Sequence, residues 1–214
     1  MCKERRHIYN IITRSIAGYL IKQSYAKINK KDLIFDNKLK NNFLKTKCDE
    51  KDYIEICHLG NGASFQVSLI YHIKKEEIFA IKKPNGIIYE TSKLIEREEN
   101  NLLKLNYPLI PKLFGKVSNK DYLIMDYING NTLNIVKKEL NFKDKITIIF
   151  ELMMIINYLH KNGFIYRDLK PNNIMINDKK MVFLIDYDRM ITNLEALNNP
   201  NITIDFASDF CAPE

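Results

Sequence analysis

Between Gly163 and Asp188 the chain reads GFIYRDLKPNNIMINDKKMVFLIDYD, in which a carboxylate, an amine, an amide and a second carboxylate follow one another as Asp168, Lys170, Asn173 and Asp186. Two short apolar runs, Ile174 to Ile176 and Met181 to Ile185, flank a polar turn of Asn177, Asp178, Lys179 and Lys180. This spacing predicts a β-hairpin. The first three polar residues lead into the hairpin and Asp186 leaves it, so the fold can bring all four to one place. A base, a cation and two oxygen ligands for a hard metal ion are the set that phosphoryl transfer requires.

Such a set needs elements to hold it. From about residue 53 to 83 the pattern is strand-like, with Gly60-Asn61-Gly62 at a predicted hairpin tip. Two glycines there let backbone N–H groups approach phosphate oxygens with no Cβ in the way. Outside its context this would be an ordinary hairpin. Lys82 ends the apolar run Phe79-Ala80-Ile81, and strand alternation puts Lys83 on the opposite face. From Thr91 to Leu105 the period becomes helical, with Ser92 as candidate cap, an apolar stripe of Leu94, Ile95, Leu102 and Leu105, and Pro108 as terminator. A short strand from Tyr122 to Met125 runs into Asp126-Tyr127-Ile128-Asn129-Gly130. Residues 141–162 read as a long helix, with Asn141 and Asp144 in a capping arrangement and Gly163 past its end. Its middle, ITIIFELMMII, is apolar nearly all round, which predicts burial.

Charge is unevenly placed. Residues 1–50 hold 12 Lys/Arg against 5 Asp/Glu, whereas the other 164 residues hold 21 against 21. The net charge of +7 therefore sits on an N-terminal extension. Within it Ile8, Ile12, Ile16 and Leu20 recur at helical spacing with Arg14 and Lys22 interleaved, a pattern for a basic amphipathic helix. Its candidate partners are a neighbouring lobe, another chain or an anionic membrane surface. No aromatic platform interleaves the charges, so a nucleic-acid partner is not expected. Cys2, Cys48, Cys57 and Cys211 show no Cys-x-x-Cys spacing, and a reduced cytoplasmic compartment is the expectation. No apolar run approaches the roughly 20 residues of a membrane span.

YRDLKPNN resembles the catalytic loop of the eukaryotic-type protein kinases, and IDYD resembles their metal-binding Asp-Phe-Gly. Upstream, GNGASFQV resembles the kinase Gly-rich loop, FAIK the Val-Ala-Ile-Lys strand, EREENNLLKLNYPLIPKL the C-helix with the strand after it, and Asp126 to Gly130 the hinge. The resemblance implies an α+β, bilobal protein-kinase-like fold over 51–214. Its N-lobe, 51–125, would be an antiparallel sheet plus C-helix, followed by a hinge at 126–130 and a partial helical C-lobe over 131–214. It implies ATP and Mg²⁺ as cofactors and a protein substrate, with Lys170 looking more like serine/threonine than tyrosine kinases. Asp168 would be the base, Lys170 would neutralise the γ-phosphate, Glu98 would pair with Lys82, and Lys82 would hold the α- and β-phosphates. Asn173 and Asp186 would hold the metal. Leu59, Gly60, Asn61, Gly62, Val67, Ala80, Met125, Asp126, Ile128 and Met175 would surround the nucleotide. Leu102, Leu113, Tyr166 and Tyr187 match the hydrophobic column that links the lobes.

The chain departs from the family pattern in places. Phe65 stands where the third glycine is usual and Ser64 where an aromatic is common, Tyr166 replaces His, and Ala207 replaces a threonine. Asp188 replaces the glycine of Asp-Phe-Gly, which predicts a stiffer segment because glycine alone is free at positive φ. Arg167 beside Asp168 is the arrangement that grips a phosphorylated activation segment, with Thr192, Thr203 and Ser208 as candidates. The chain reads to Ala212-Pro213-Glu214, where the family continues into a helical subdomain. A fragment, a covering partner chain or a vestigial lower lobe would each account for this. One side of the 141–162 helix is then expected to expose apolar surface. A nucleotide-binding pseudokinase or scaffold is the alternative function, and a small-molecule kinase ranks lower because of the Lys-Pro and Ala-Pro-Glu motifs.

Overall fold

The computed structural model describes residues 46–86 and 89–198. The basic segment read as a helix over Ile8 to Leu20, the Ala212-Pro213-Glu214 motif, and Thr203, Ala207 and Ser208 lie outside the described residues.

The upper part is a six-stranded sheet formed by β1 (Thr46–Cys48), β2 (Tyr53–Asn61), β3 (Phe65–His72), β4 (Glu77–Pro84), β5 (Leu113–Val117) and β6 (Leu123–Asp126), in the order β1-β5-β6-β4-β3-β2. Neighbours among β2 to β6 pair antiparallel, and β1 alone pairs parallel, with Cys48 opposite Val117. Residues 46–50, read from sequence as extension, therefore include an edge strand of this sheet and the start of a 3₁₀ turn at Glu50–Asp52. The sheet turns Ile70, Phe79, Ile81, Phe114 and Ile124 into one buried cluster with Cys48.

Helix α1 (Tyr89–Leu102) follows β4. It ends three residues before the predicted Leu105 and well short of Pro108. Ser92 does not cap it, because Ser92 lies inside the helix and its hydroxyl donates to Asp121 at 2.7 Å.

Below the sheet come β7 (Gly130–Thr132), the short α2 (Leu133–Val136), α3 (Phe142–Lys161), β8 (Phe164–Ile165), β9 (Ile174–Asn177), β10 (Val182–Leu184), β11 (Ile191–Thr192) and α4 (Asn193–Asn198). The predicted hairpin is β9–β10, antiparallel with Val182 opposite Ile176, and β7 adds to its other side. A Cβ on Gly130 would lie 2.7 Å from Asn177 Cα, so the β7–β9 approach requires glycine there. Asn141 caps α3 by accepting the Asp144 N–H at 2.8 Å, and Gly163, at φ +78°, follows its end.

The expected all-round burial of α3 is not what forms. Ile148, Ile155 and Leu159 face the core, while Phe142, Ile146, Ile149, Phe150, Met153 and Met154 are exposed on the other side. The exposed-face expectation holds because nothing among the described residues covers it. The inner face joins a second cluster that runs from Phe65, Ile95 and Leu102 above to Tyr166, Leu184 and Tyr187 below, and this cluster fastens the sheet to the helical part.

Candidate active site

β4 and α1 converge first. Strand alternation sends Lys82 inward, and its ammonium donates to Glu98 Oε2 at 2.5 Å and to Asp186 Oδ1 at 2.7 Å. Lys82 and Glu98 are 6 % and 1 % exposed, so this is a buried ion pair. Burial favours the neutral amine, but the carboxylates of Glu98, Asp186 and Asp188 outweigh it and hold the Lys82 pKa well above its ordinary value. Burial, the largest effect, leaves the Glu98 pKa above its ordinary value although the Lys82 ammonium pulls it down. Burial would also raise Asp186, yet Lys82 keeps it below the usual carboxylate range. Lys83 points the other way and pairs with Glu55.

The second group is local. Asp168 accepts Lys170 Nζ at 2.8 and 3.0 Å and Asn173 Nδ2 at 2.7 Å, and the same Asn173 nitrogen donates to the Asp168 carbonyl at 2.9 Å. A 3₁₀ turn, Pro171–Asn173, sets this geometry immediately before β9. The Ile185 N–H donates to the Asn173 carbonyl at 2.9 Å, which seats Asp186 beside Asn173. Tyr166, in the place of the usual His, donates its hydroxyl to the Ile185 carbonyl and meets Tyr187 edge-on at 5.5 Å. The two groups are thus neighbours, joined through Ile185.

The metal expectation can be tested on the donors. Both N–H bonds of Asn173 go to Asp168, which leaves its oxygen on the other arm of the amide, and the Asp186 side chain is one-third exposed. Among the described residues no cluster of three or more His, Cys, Asp or Glu side chains could hold a metal by itself. One amide oxygen and one carboxylate suit Mg²⁺, which completes its shell with substrate phosphates and water. The residues fit.

The protein kinase domain model matches residues 53–214. The chain belongs to the protein kinase family. Among similar curated proteins, a probable serine/threonine-protein kinase of Dictyostelium discoideum is 32% identical over 170 residues, covering 74% of this chain and 37% of that protein. A serine/threonine-protein kinase of Arabidopsis thaliana is 36% identical over 153 residues, 64% of this chain and 36% of its own length. An Aurora kinase of Candida glabrata is 30% identical over 182 residues, 80% and 51% respectively. The chain spans about a third to a half of the length of these relatives.

Within this kinase domain the expected nucleotide-pocket residues lie on β2 to β4, on β6 and the hinge after it, and on β9. Leu59, Gly60 and Asn61 end β2 and Gly62 opens the turn; Val67 lies opposite Lys82; Ala80 lies opposite Met125; Asp126 and Ile128 follow; and Met175 lies opposite Thr132. A Cβ at Gly60 would meet nothing within 4 Å and one at Gly62 only the Phe65 carbonyl at 3.5 Å, so the protein itself does not demand glycine at either position. Leu102, Leu113, Tyr166 and Tyr187 are buried in the single cluster described above. A cavity of about 290 Å³ lies apart from the two ionic groups, between Gly130, Leu140, Ile176 and Lys180.

The positive φ of the Asp186-Tyr187-Asp188 segment falls on Asp186 (69°), with Arg167 at 71°, and not on Asp188. The residue at the glycine position is instead buried with Oδ1 unpartnered, and burial together with Asp186 raises its pKa to about 7. The Thr192 N–H and hydroxyl donate to Glu195 at 2.6 and 2.8 Å, and the Glu195 N–H returns to Thr192 Oγ1 at 3.1 Å. That capping box occupies the Thr192 hydroxyl and would set a phosphate on it against the Glu195 carboxylate.

Sequence reading missed Asn101. Its amide donates to the Tyr187 and Met190 carbonyls at 2.9 and 3.0 Å and so ties α1 to the segment carrying Asp186. Its place three residues after Glu98, beside the apolar stripe, was the available signal.

Proposed function

We propose that the chain is an ATP-dependent protein kinase that transfers the γ-phosphate to Ser/Thr hydroxyls. The observation carrying this reading is that the group of Lys82, Glu98 and Asp186 and the group of Asp168, Lys170 and Asn173 are tied together where the Ile185 N–H, next to Asp186, donates to the Asn173 carbonyl. Asp168 orients the attacking hydroxyl and accepts its proton at the carboxylate that Asn173 steadies. Lys170, partly exposed at the mouth, balances charge on the transferring group, and Lys82 does so for the α- and β-phosphates. Glu98 keeps Lys82 extended. Asn173 and Asp186 would hold a Mg²⁺ ion, which would offset the charge of the phosphates. The Asp126 carbonyl and Ile128 N–H are the adenine partners in this reading. The serine/threonine preference is supported by Lys170 and by the names its relatives carry.

The test is Mg²⁺-dependent transfer of labelled γ-phosphate from ATP to the chain itself and to a generic basic protein. Asp168→Asn should lower the rate by about 10²- to 10⁴-fold. ATP binding without Asp168-dependent transfer would instead make the chain a nucleotide-binding scaffold.

A further inference from the structure

The residue that departs most from the glycine-loop pattern lies on the site. Phe65 opens β3 opposite Pro84, and Val67, two residues on, lies opposite Lys82. Strand alternation puts both side chains on the face that carries Lys82. The Phe65 ring is 6 % exposed, belongs to the cluster containing Ile95 and Leu102, and has its centroid 4.5 Å from Lys82 Nζ. An ammonium has three N–H bonds. Two of those on Lys82 are spent on Glu98 and Asp186, and the ring stands on a further side.

The loop above the ring is fastened in this position. Gly62 N–H donates to the Phe65 carbonyl at 2.7 Å, and Asn85 N–H to the Ser64 carbonyl at 2.9 Å. The Asn85 side chain reaches the Gly62 and Ala63 carbonyls at 2.8 and 3.4 Å.

We propose that Phe65 is a specificity-determining residue of the nucleotide site: its ring covers the Lys82 ammonium, and phosphate reaches Lys82 only when the ring swings out. The inference rests on the nucleotide-site reading above. A buried ring–ammonium contact is worth more than an exposed one, so its loss counts against phosphate binding. The adenine end is spared. Lys82 lies opposite Leu123 and Phe79 opposite Asp126, a separation of roughly 10 Å along the strand.

Binding of adenosine and of Mg-ATP to the wild-type chain and to Phe65→Ala, measured by calorimetry, tests this. The variant should bind adenosine as the wild type does, within about twofold, and Mg-ATP about tenfold more tightly, the factor that roughly 1.4 kcal/mol represents. Adenosine binding with an unmoved or smaller ATP-to-adenosine ratio overturns the inference and leaves the nucleotide site standing. Failure of both forms to bind either ligand overturns the nucleotide site and the inference together. Independently of how the variant folds, 4-fluorophenylalanine at position 65 should shift its ¹⁹F resonance with Mg-ATP and keep it with adenosine. A resonance that stays fixed with bound Mg-ATP overturns the inference.

Discussion

Lys82 meets its partners 16 and 104 positions away along the chain, whereas Asp168 meets Lys170 and Asn173 within five. The first group exists only when β4, α1 and the segment after β10 are assembled, so it reports on the whole fold. The second survives in any state that keeps one loop. Burial sharpens the contrast on the cation's side: the Lys82 and Glu98 side chains are 7 % and 1 % exposed, whereas Lys170 is 29 % exposed above an Asp168 that is itself buried at 4 %. The difference teaches that ion pairs within a few tenths of an ångström of one another in length carry unequal consequences. Removing Lys82 strands two carboxylates at a buried site, whereas Asp168 stripped of Lys170 keeps the Asn173 N–H.

The strongest way to break that comparison is Lys82→Ala, which leaves Glu98 and Asp186 facing each other. A loss of about 3–5 kcal/mol is expected from urea unfolding; a loss below about 1 kcal/mol would make the two groups alike. Next comes Asn101→Ala, which strips two buried carbonyls of their donor and should cost about 1–3 kcal/mol in the same measurement. Lys170→Ala should cost less than about 1 kcal/mol in stability while phosphate transfer falls, since its partner keeps Asn173. The smallest effect lies outside both groups. His72 is buried against Phe79 and Phe114, and burial lowers its pKa from 6.5 despite Asp52 nearby. The folded state thus disfavours the charged imidazole. Its contribution is fully present above pH 6.5 and is lost as pH falls through the depressed folded value, so unfolding midpoints should slope downward below pH 6.5 and flatten in His72→Gln.

The same contrast explains what could be read in advance. The order Asp168, Lys170, Asn173 and the β9–β10 hairpin were legible because their contacts are local and a polar turn marks them. Lys82 and Glu98 were found through the spacing of family motifs, since nothing in their neighbours shows which lysine meets which glutamate. The contact of Phe65 with Lys82 was not legible. A missing glycine reads as a gap in a pattern, and only the register of β3 on β4 shows where the ring goes. Asn101 and Asn85 hide for the same reason, because an amide looks alike in solvent and on a buried carbonyl. The edge strand β1 escaped because three residues carry no period, and α1 ended early because beyond Leu102 its hydrogen bonds tighten to three-residue turns, Lys104 N–H on the Asn101 carbonyl and Leu105 N–H on the Leu102 carbonyl.

The outward stripe of α3 has a practical side. Ile146, Ile149, Phe150 and Met153 follow the helical repeat on a surface that the other described elements leave more than half exposed. Self-association at working concentrations is the expected behaviour of such a patch, and it would limit handling before it limited folding. Replacing Ile149, Phe150 and Met153 with Glu or Lys removes no buried contact and should move stability by about 0.5 kcal/mol or less per position. A gain in monodispersity by light scattering, at unchanged unfolding midpoint, is the expected result, and it would make this helix face the natural place to engineer solubility.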